Sequence, residues 1–204
     1  MSSNGAYITS ACVIRDHAVI RNGSTVFESK DTDLPGFLRS LYDRYSGQYP
    51  KFHKMDLLSK LGWAATEILL QDMPMDMYAP EETGVVLANT SSSLDTDERY
   101  YETVSEIASP ALFVYTLPNI VIGEISIRHG FKGENAFFID DHFDIEFITG
   151  YVRQLLETGA INACICGWVE QYHAGYEAAL FLVEKNSRGM ALPFTAGEVE
   201  KLYR

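Results

Sequence analysis

The fold of this protein is decided by residues 133–170, which read GENAFFIDDHFDIEFITGYVRQLLETGAINACICGWVE. Residues 136–139 form a short apolar run that favours a β-strand, and residues 161–169 form a second one. Between them, apolar residues recur at helical spacing after Asp144, which can cap a helix, and Gly159 ends the pattern. The stretch therefore predicts a strand, a helix of about four turns and a second, parallel strand, with the helix packed on one face of the sheet.

The rest of the chain supplies further strands and helices around this unit. Strands are predicted over residues 6–15, 84–89 and 176–184, and Asn22-Gly23 predicts a hairpin turn inside residues 19–27. Helices are predicted over residues 34–45, 55–70 and 120–129, the last capped by Asn119, and Asp95 with Glu98 resembles a capping box that opens a helix to Ala108. These elements predict an α/β protein with a three-layer α/β/α arrangement around a mixed sheet, formed by a single domain over residues 1–204.

Composition excludes several classes of function. A formal net charge of −12 repels nucleic-acid phosphates and anionic membrane surfaces. The chain has no apolar run long enough to span a bilayer and no basic segment leading into an apolar signal segment. Cys12, Cys164 and Cys166 make neither a disulfide framework nor a tetrahedral metal set. We therefore expect a cytoplasmic protein with no membrane span, no nucleic-acid partner, no metal and no cofactor.

The segment ahead of the deciding stretch carries a resemblance to a known family. Residues 109–119 read SPALFVYTLPN, and residues 123–135 read GEISIRHGFKGEN. They resemble the SP...LPN...G.IAI..G..GPN segment of the β-ketoacyl-acyl-carrier-protein synthases, which belong to the thiolase-like superfamily. The likeness continues to Arg188-Gly189 and corresponds to the amino-terminal half of a synthase. The resemblance implies the amino-terminal half of a thiolase-like fold and a role in fatty-acid or polyene-type biosynthesis.

The resemblance also marks where the family's chemistry would take place. In the family, the strand after this segment delivers a nucleophilic Cys to the start of a helix. The family's spacing puts His142 at that position, to within about one residue. Histidine does not hold an acyl thioester, so condensation by the family's route has no nucleophile here. The family's two downstream His residues belong to its carboxyl-terminal half, and we expect residues 1–204 to correspond to the amino-terminal half alone. We therefore expect a non-catalytic accessory subunit similar to a chain length factor.

His142 has three other interpretations. The carboxylates of Asp140 and Asp141 favour an imidazolium, so His142 can be a proton-transfer group or part of a metal-ligand set. The alternative function is therefore an enzyme with altered acyl-thioester chemistry, which uses His142 with Asp140 or Asp141 as acid or base. Three polar residues at a strand-to-helix turn are also typical of a solvated junction without chemistry.

The second face of the central helix is polar. In a full thiolase-like fold this helix lies between two sheets, so both of its faces should be apolar or small. Burying unpaired charges there would cost several kcal/mol for each charge. We expect the polar face to meet water or a polar partner. Its residues are Glu146, Thr149, Arg153, Gln154 and Glu157.

Two basic groups interrupt the acidic sequence. Acyl carrier proteins are acidic, so a basic patch can dock one through charge complementarity. The alternative is that these side chains are helix-end charges, since Arg128 and His129 suit a helix C-terminus. The candidate docking residues are Lys51, Lys54, Lys60, Arg128 and Lys132.

The strand that enters the turn at His142 is a candidate subunit interface. In the thiolase-like superfamily the corresponding strand lies at the subunit boundary, and an apolar edge strand invites aggregation unless it is paired or covered. We expect pairing with a second copy of the chain, or with an active ketosynthase in a heterodimer. The candidate interface residues are Asn135, Ala136, Phe137, Phe138 and Ile139, flanked by Pro118 and Asn119.

Overall fold

A computed structural model describes residues 5–29 and 33–204 and places a mixed sheet between two layers of helices. The strands are β1 (Tyr7–Arg15), β2 (Ala18–Arg21), β3 (Ser24–Glu28), β4 (Thr83–Asn89), β5 (Asn135–Ile139), β6 (Ala163–Tyr172), β7 (Gly175–Glu184) and β8 (Leu192–Pro193). The helices are α1 (Leu34–Tyr45), α2 (Leu57–Leu69), α3 (Leu94–Val104), α4 (Pro110–Phe113), α5 (Ile120–His129), α6 (Ile145–Thr158) and α7 (Ala196–Tyr203). None of these described helices is both long enough and apolar enough to cross a bilayer.

The sheet combines parallel and antiparallel pairing. Its strand order is β3-β2-β1-β7-β6-β4-β5, and β8 pairs with the start of β1. β4 is parallel to both β5 and β6, whereas the other pairs are antiparallel. The predicted strand-helix-strand unit is therefore confirmed as β5, α6 and β6, but β4 lies between its two strands. Helix α6 has to cross β4 on its way from the edge of the sheet to β6.

One face of the sheet is covered by α1, α2 and α5. Asp56 begins α2 by accepting a hydrogen bond from the Ser59 backbone N–H at 3.0 Å, and the helix buries residues on almost every side. Gly62 lets α5 approach closely, because a side chain at this position would collide with Val121. Helix α5 ends as predicted at Gly130, whose φ of 75° is left-handed. Asn119 is its N-cap residue, but the Asn119 side chain makes no capping hydrogen bond.

The opposite face of the sheet is covered by α6 and α7. Ile148, Val152 and Leu156 form the buried stripe of α6, and they pack in the same core as Cys164 and Cys166 of β6. The three-layer α/β/α prediction is confirmed. The polar face of α6 is exposed at residues 146, 153, 154 and 157, as predicted. Thr149 is the exception, because the start of α7 packs near it and leaves it 6% exposed.

The capping box predicted for Asp95 and Glu98 is wrong. Helix α3 begins at Leu94 and ends at Val104, short of the predicted end at Ala108. Asp95 instead accepts a hydrogen bond from the His173 backbone N–H at 3.0 Å. Glu98 accepts one from the Tyr172 hydroxyl, also at 3.0 Å. Both carboxylates are used to hold the turn between β6 and β7, a contact with a segment distant in sequence.

Candidate functional site

The β5–α6 turn is built by hydrogen bonds at both of its ends. The Asp140 backbone N–H donates to the Asn89 carbonyl at 3.0 Å, which holds the end of β5 against β4. Asp144 then caps α6 by accepting from the Phe147 backbone N–H at 2.9 Å, as predicted. Asp140, Asp141 and His142 therefore lie where a parallel strand ends and a helix begins, a common position for functional groups in α/β folds.

Asp141 and His142 form an exposed pair in this turn. The Nδ1 atom of His142 contacts an Asp141 carboxylate oxygen directly, and Asp140 accepts a hydrogen bond from the Asp141 backbone N–H at 2.8 Å. The hydrogen bond and charge of Asp141 raise the pKa of His142, and the reciprocal contact lowers the pKa of Asp141. The His142 side chain is 71% exposed, so water screens the pair. The contact therefore favours the protonated imidazole at the turn without enclosing it.

The same three side chains have the spacing of a cation site. One ligand atom from each of Asp140, Asp141 and His142 lies within 4.8 Å of the others. The groups are open to solvent, and exposed acidic clusters commonly bind no ion. The turn is therefore compatible with a hydrated cation and does not form an enclosed metal centre. The predicted absence of a metal stays a prediction.

Phe143 anchors this turn in the core, and the sequence prediction did not single it out. Its ring is buried and stacks on Trp168 with 5.8 Å between centroids. It also meets Tyr203 of α7 edge-on at 5.3 Å. The presence of an aromatic residue inside an otherwise polar turn is the feature of the sequence that could have indicated this burial. Its burial fixes the direction of the neighbouring polar side chains, which point away from the core.

The cysteines are located away from the turn. Cys12 lies on β1, and Cys164 and Cys166 lie on β6, all three as buried free thiols. Burial raises the pKa of Cys12 to about 12, and burial together with Cys166 raises the pKa of Cys164 well above its usual range. Thiols held protonated in this way are poor nucleophiles. The prediction that Cys164 and Cys166 share one buried face of a strand is confirmed.

Two of the candidate docking residues form ion pairs with carboxylates of α2 and α5. The Lys51 Nζ atom lies 2.8 Å from a carboxylate oxygen of Glu124, whose side chain is almost fully buried. The Arg128 Nε atom donates to Glu67 at 2.9 Å. Glu124 and Arg128 are one turn apart on α5, so both ion pairs involve the same helix. Because carboxylates of the same chain compensate their charges, Lys51 and Arg128 have less positive charge available to an acidic partner.

The remaining candidates occupy separate positions. Lys60 lies in the first turn of α2, where burial lowers its pKa and the nearby Asp56 carboxylate opposes that change. Lys54 and Lys132 are exposed, and neither pairs with a carboxylate within residues 5–29 and 33–204. Lys54 precedes α2, and Lys132 follows α5, where its backbone N–H donates to Pro80. Docking of a carrier protein by this set stays a prediction.

Strand β5 forms one edge of the sheet, with β4 as its neighbour on the inner side. Phe138 meets Phe147 and Tyr151 of α6 edge-on at 4.8 and 5.1 Å, whereas Phe137 packs towards the opposite core. Ile139 is 52% exposed. Pro118 and Asn119 directly precede α5. The end of α4 and the loop after it also expose apolar side chains: Phe113, Val114 and Leu117. Both regions offer apolar surface of the kind found at interfaces.

Comparison with known proteins identifies solved structures that have a similar fold. No family model and no curated protein matches the sequence. Three similar solved structures are the ishigamide ketosynthase/chain length factor, a type II polyketide synthase acyl-carrier protein in complex with its ketosynthase bound to the hexaketide, and a ketosynthase in complex with its chain length factor from Xenorhabdus doucetiae.

Their TM-scores are 0.65, 0.61 and 0.56 at sequence identities of 21%, 15% and 13%, in the same order. The matches cover 88%, 89% and 89% of this chain and 62%, 63% and 79% of those chains. The chain thus spans less than two thirds of the length of the first two structures. At these identities the likeness establishes the fold. The chain has the fold of the matched part of these ketosynthase and chain length factor chains, in agreement with the partial thiolase-like fold implied by the resemblance of its sequence.

Proposed function

We propose that this protein is a ketosynthase-like accessory subunit, similar in role to a chain length factor, that pairs with an active ketosynthase and does not condense acyl groups itself. The β5–α6 turn carries this proposal. Where the resemblance puts a nucleophilic Cys, the turn presents Asp140, Asp141 and His142 to solvent. The three cysteines are buried in the sheet. Without a thiol at the turn, the acyl thioester intermediate cannot form there.

The exposed edge of β5 supports the pairing part of the proposal. Pairing of β5 with the edge strand of a second chain about a two-fold axis would satisfy its outward backbone groups and cover Ile139. Similar solved structures contain a ketosynthase together with a chain length factor, so an active ketosynthase is the partner we favour. In the absence of such a partner, a second copy of this chain would occupy the same edge.

An acyl carrier protein is the second proposed partner. A similar solved structure holds an acyl-carrier protein on its ketosynthase. Lys54 and Lys132 are the candidate docking residues whose charge no carboxylate compensates within the described parts of the chain. We expect them to contribute most to docking, through long-range attraction that weakens as salt is added.

The free cysteines support a reducing compartment. Disulfides persist in oxidising compartments, whereas Cys12, Cys164 and Cys166 are all free and buried. We place the proposed subunit in the cytoplasm on this ground.

Intact-mass measurement tests whether the protein carries acyl groups. The purified protein is incubated with malonyl- or acyl-loaded carrier protein, alongside an active ketosynthase as the positive control. We expect its mass to stay unchanged while the control gains an acyl group. Co-purification with a ketosynthase expressed in the same cells would support the accessory role. A stable acyl adduct on this chain alone would refute the proposal.

The second candidate is an enzyme that uses His142 as an acid or base on an acyl thioester. The contact between His142 and Asp141 favours this function, because it raises the pKa of His142 towards the range in which a histidine can act as an acid or base. The test is turnover of an acyl-loaded carrier protein by the protein alone. Turnover that disappears in His142→Ala would establish this function in place of the accessory one.

A further inference from the structure

A cleft between α6 and the start of α7 carries hydrogen-bond donors that the proposed function does not use. Its volume is about 370 Å³. We propose that this cleft binds the phosphate group of a phosphate monoester. The residues that line it are Glu146, Thr149, Gly150, Arg153, Thr195, Ala196 and Gly197.

Arg153 provides the positive charge of the cleft. Its Nε and Nη2 atoms both donate to the Phe194 carbonyl, at 3.0 and 2.7 Å, which fixes the guanidinium beside the first residues of α7. Within residues 5–29 and 33–204 no carboxylate forms an ion pair with Arg153, and its Nη1 atom makes no hydrogen bond. On a chain with a net charge of −12, this guanidinium is available to an anion.

The start of α7 adds two backbone donors to the same cleft. Thr195 caps the helix by accepting from the Glu198 backbone N–H at 3.3 Å. The N–H groups of Ala196 and Gly197 precede the first intrahelical bond and have no partner in the described parts of the chain. Free N–H groups at a helix N-terminus, together with the positive end of the helix dipole, favour a bound anion.

Thr149 gives an independent indication that something binds in the cleft. It is one turn before Arg153 on α6 and lines the same cleft, it is 6% exposed, and its hydroxyl makes no hydrogen bond. A threonine inside a helix usually donates to the carbonyl four residues earlier, and Thr149 does not. A buried hydroxyl without a partner is unfavourable. An acceptor oxygen of a bound group would satisfy it.

The number of donors favours a phosphate over a carboxylate. A guanidinium, two backbone N–H groups and a hydroxyl line the same cleft, and a phosphate monoester offers three terminal oxygens where a carboxylate offers two. The volume exceeds that of a phosphate ion and leaves space for the ester substituent. Glu146 is the carboxylate on the wall of the cleft, and its charge opposes an anion. Removing that charge should therefore tighten binding.

Calorimetric titration at constant ionic strength tests the proposal, with glycerol 3-phosphate, inorganic phosphate and acetate as separate probes. We expect saturable binding of glycerol 3-phosphate at one site, weaker binding of inorganic phosphate, and no binding of acetate. Arg153→Gln should weaken binding of the monoester at least tenfold, and Glu146→Gln should strengthen it several-fold. Arg39→Gln is the matched control, because Arg39 is an exposed arginine on α1 paired with Asp43, and it should bind as the wild type does.

Thr149→Val separates binding from folding. Valine has nearly the same shape but no hydroxyl, so we expect several-fold weaker binding with a thermal midpoint that is not lowered. A lowered midpoint with unchanged binding would show a structural role instead. The proposal is overturned if the wild type shows no saturable binding of glycerol 3-phosphate, or if acetate binds as well as the monoester does. It is also overturned if Arg153→Gln and Arg39→Gln bind the monoester equally well, because the cleft would then hold an adventitious ion only. Neither a ketosynthase nor a carrier protein takes part, so the outcome is independent of the proposed function.

Discussion

Two adjacent residues of the β5–α6 turn, His142 and Phe143, have opposite environments. The His142 side chain is mostly exposed, whereas the Phe143 ring is buried between Trp168 and Tyr203. We predict that His142→Ala leaves the free energy of unfolding nearly unchanged, as for other surface substitutions. Phe143→Ala should cost about 3 to 5 kcal/mol, because it leaves a cavity under the turn. Urea denaturation of both variants measures the difference, and a large loss for His142→Ala would mean that the residue is structural.

Glu67 contributes stability that depends on pH. Burial raises the pKa of Glu67, but the neighbouring His129 and Arg128 side chains more than offset this and lower it from 4.5 to about 2. A carboxyl group whose pKa is lower in the folded state stabilises the protein above its unfolded pKa, and this contribution is lost as the pH falls through the folded value. We therefore predict that this contribution is complete above about pH 4.5 and declines between pH 4.5 and 2.

The substitution Glu67→Gln tests this prediction. It removes the charged hydrogen-bond acceptor of Arg128 and should therefore lower the free energy of unfolding at pH 7 by about 1 to 3 kcal/mol. The difference from the wild type should shrink between pH 4.5 and 2. Glu102→Gln, at an exposed position on α3, is the control. A Glu67→Gln deficit that does not change with pH would exclude the charged pair as its cause.

At the scale of elements, α6 is held by its apolar stripe and leaves its polar face free for contacts. Leu156 is almost fully buried, whereas the adjacent Leu155 is only partly buried at the edge of the same core. We predict that Leu156→Ala lowers the free energy of unfolding by about 2 to 5 kcal/mol and that Leu155→Ala costs less. Chemical denaturation compares the two leucines on one helix, and equal losses would contradict the orientation of α6 described above.

At the scale of the whole molecule, the free edge of β5 predicts assembly. Without another partner, the protein should sediment as a homodimer at micromolar concentration, with β5 strands paired across a two-fold axis. Phe138→Pro should split the dimer by distorting β5, because the Phe138 backbone N–H faces β4 and its loss disrupts the pairing of β5 within the sheet. Ile139→Lys should do so with less disturbance of the fold, because it adds a charge at an exposed position of the same strand. Val26→Lys, on the other edge strand β3, is the control. A wild-type monomer, or a folded and dimeric Ile139→Lys variant, would exclude this interface.

Elements whose signals are local could be predicted from the sequence. The Asn22-Gly23 turn, the cap of α6 at Asp144 and the left-handed end of α6 at Gly159 are all present where they were predicted. Capping, turn geometry and apolar periodicity act over a few residues, so a single chain segment carries the whole signal. The α/β class followed from the order of these elements along the chain.

Contacts between distant segments could not be predicted in this way and were found in the folded chain. The tertiary structure inserted β4 between β5 and β6, directed Asp95 to the turn at His173, and buried Thr149 against the start of α7. Lys51, a candidate docking residue, also forms an ion pair with Glu124 of the same chain. Each of these contacts joins residues that are far apart in sequence or on separate elements. No local pattern contains such a contact, because its free energy depends on where the rest of the chain has packed.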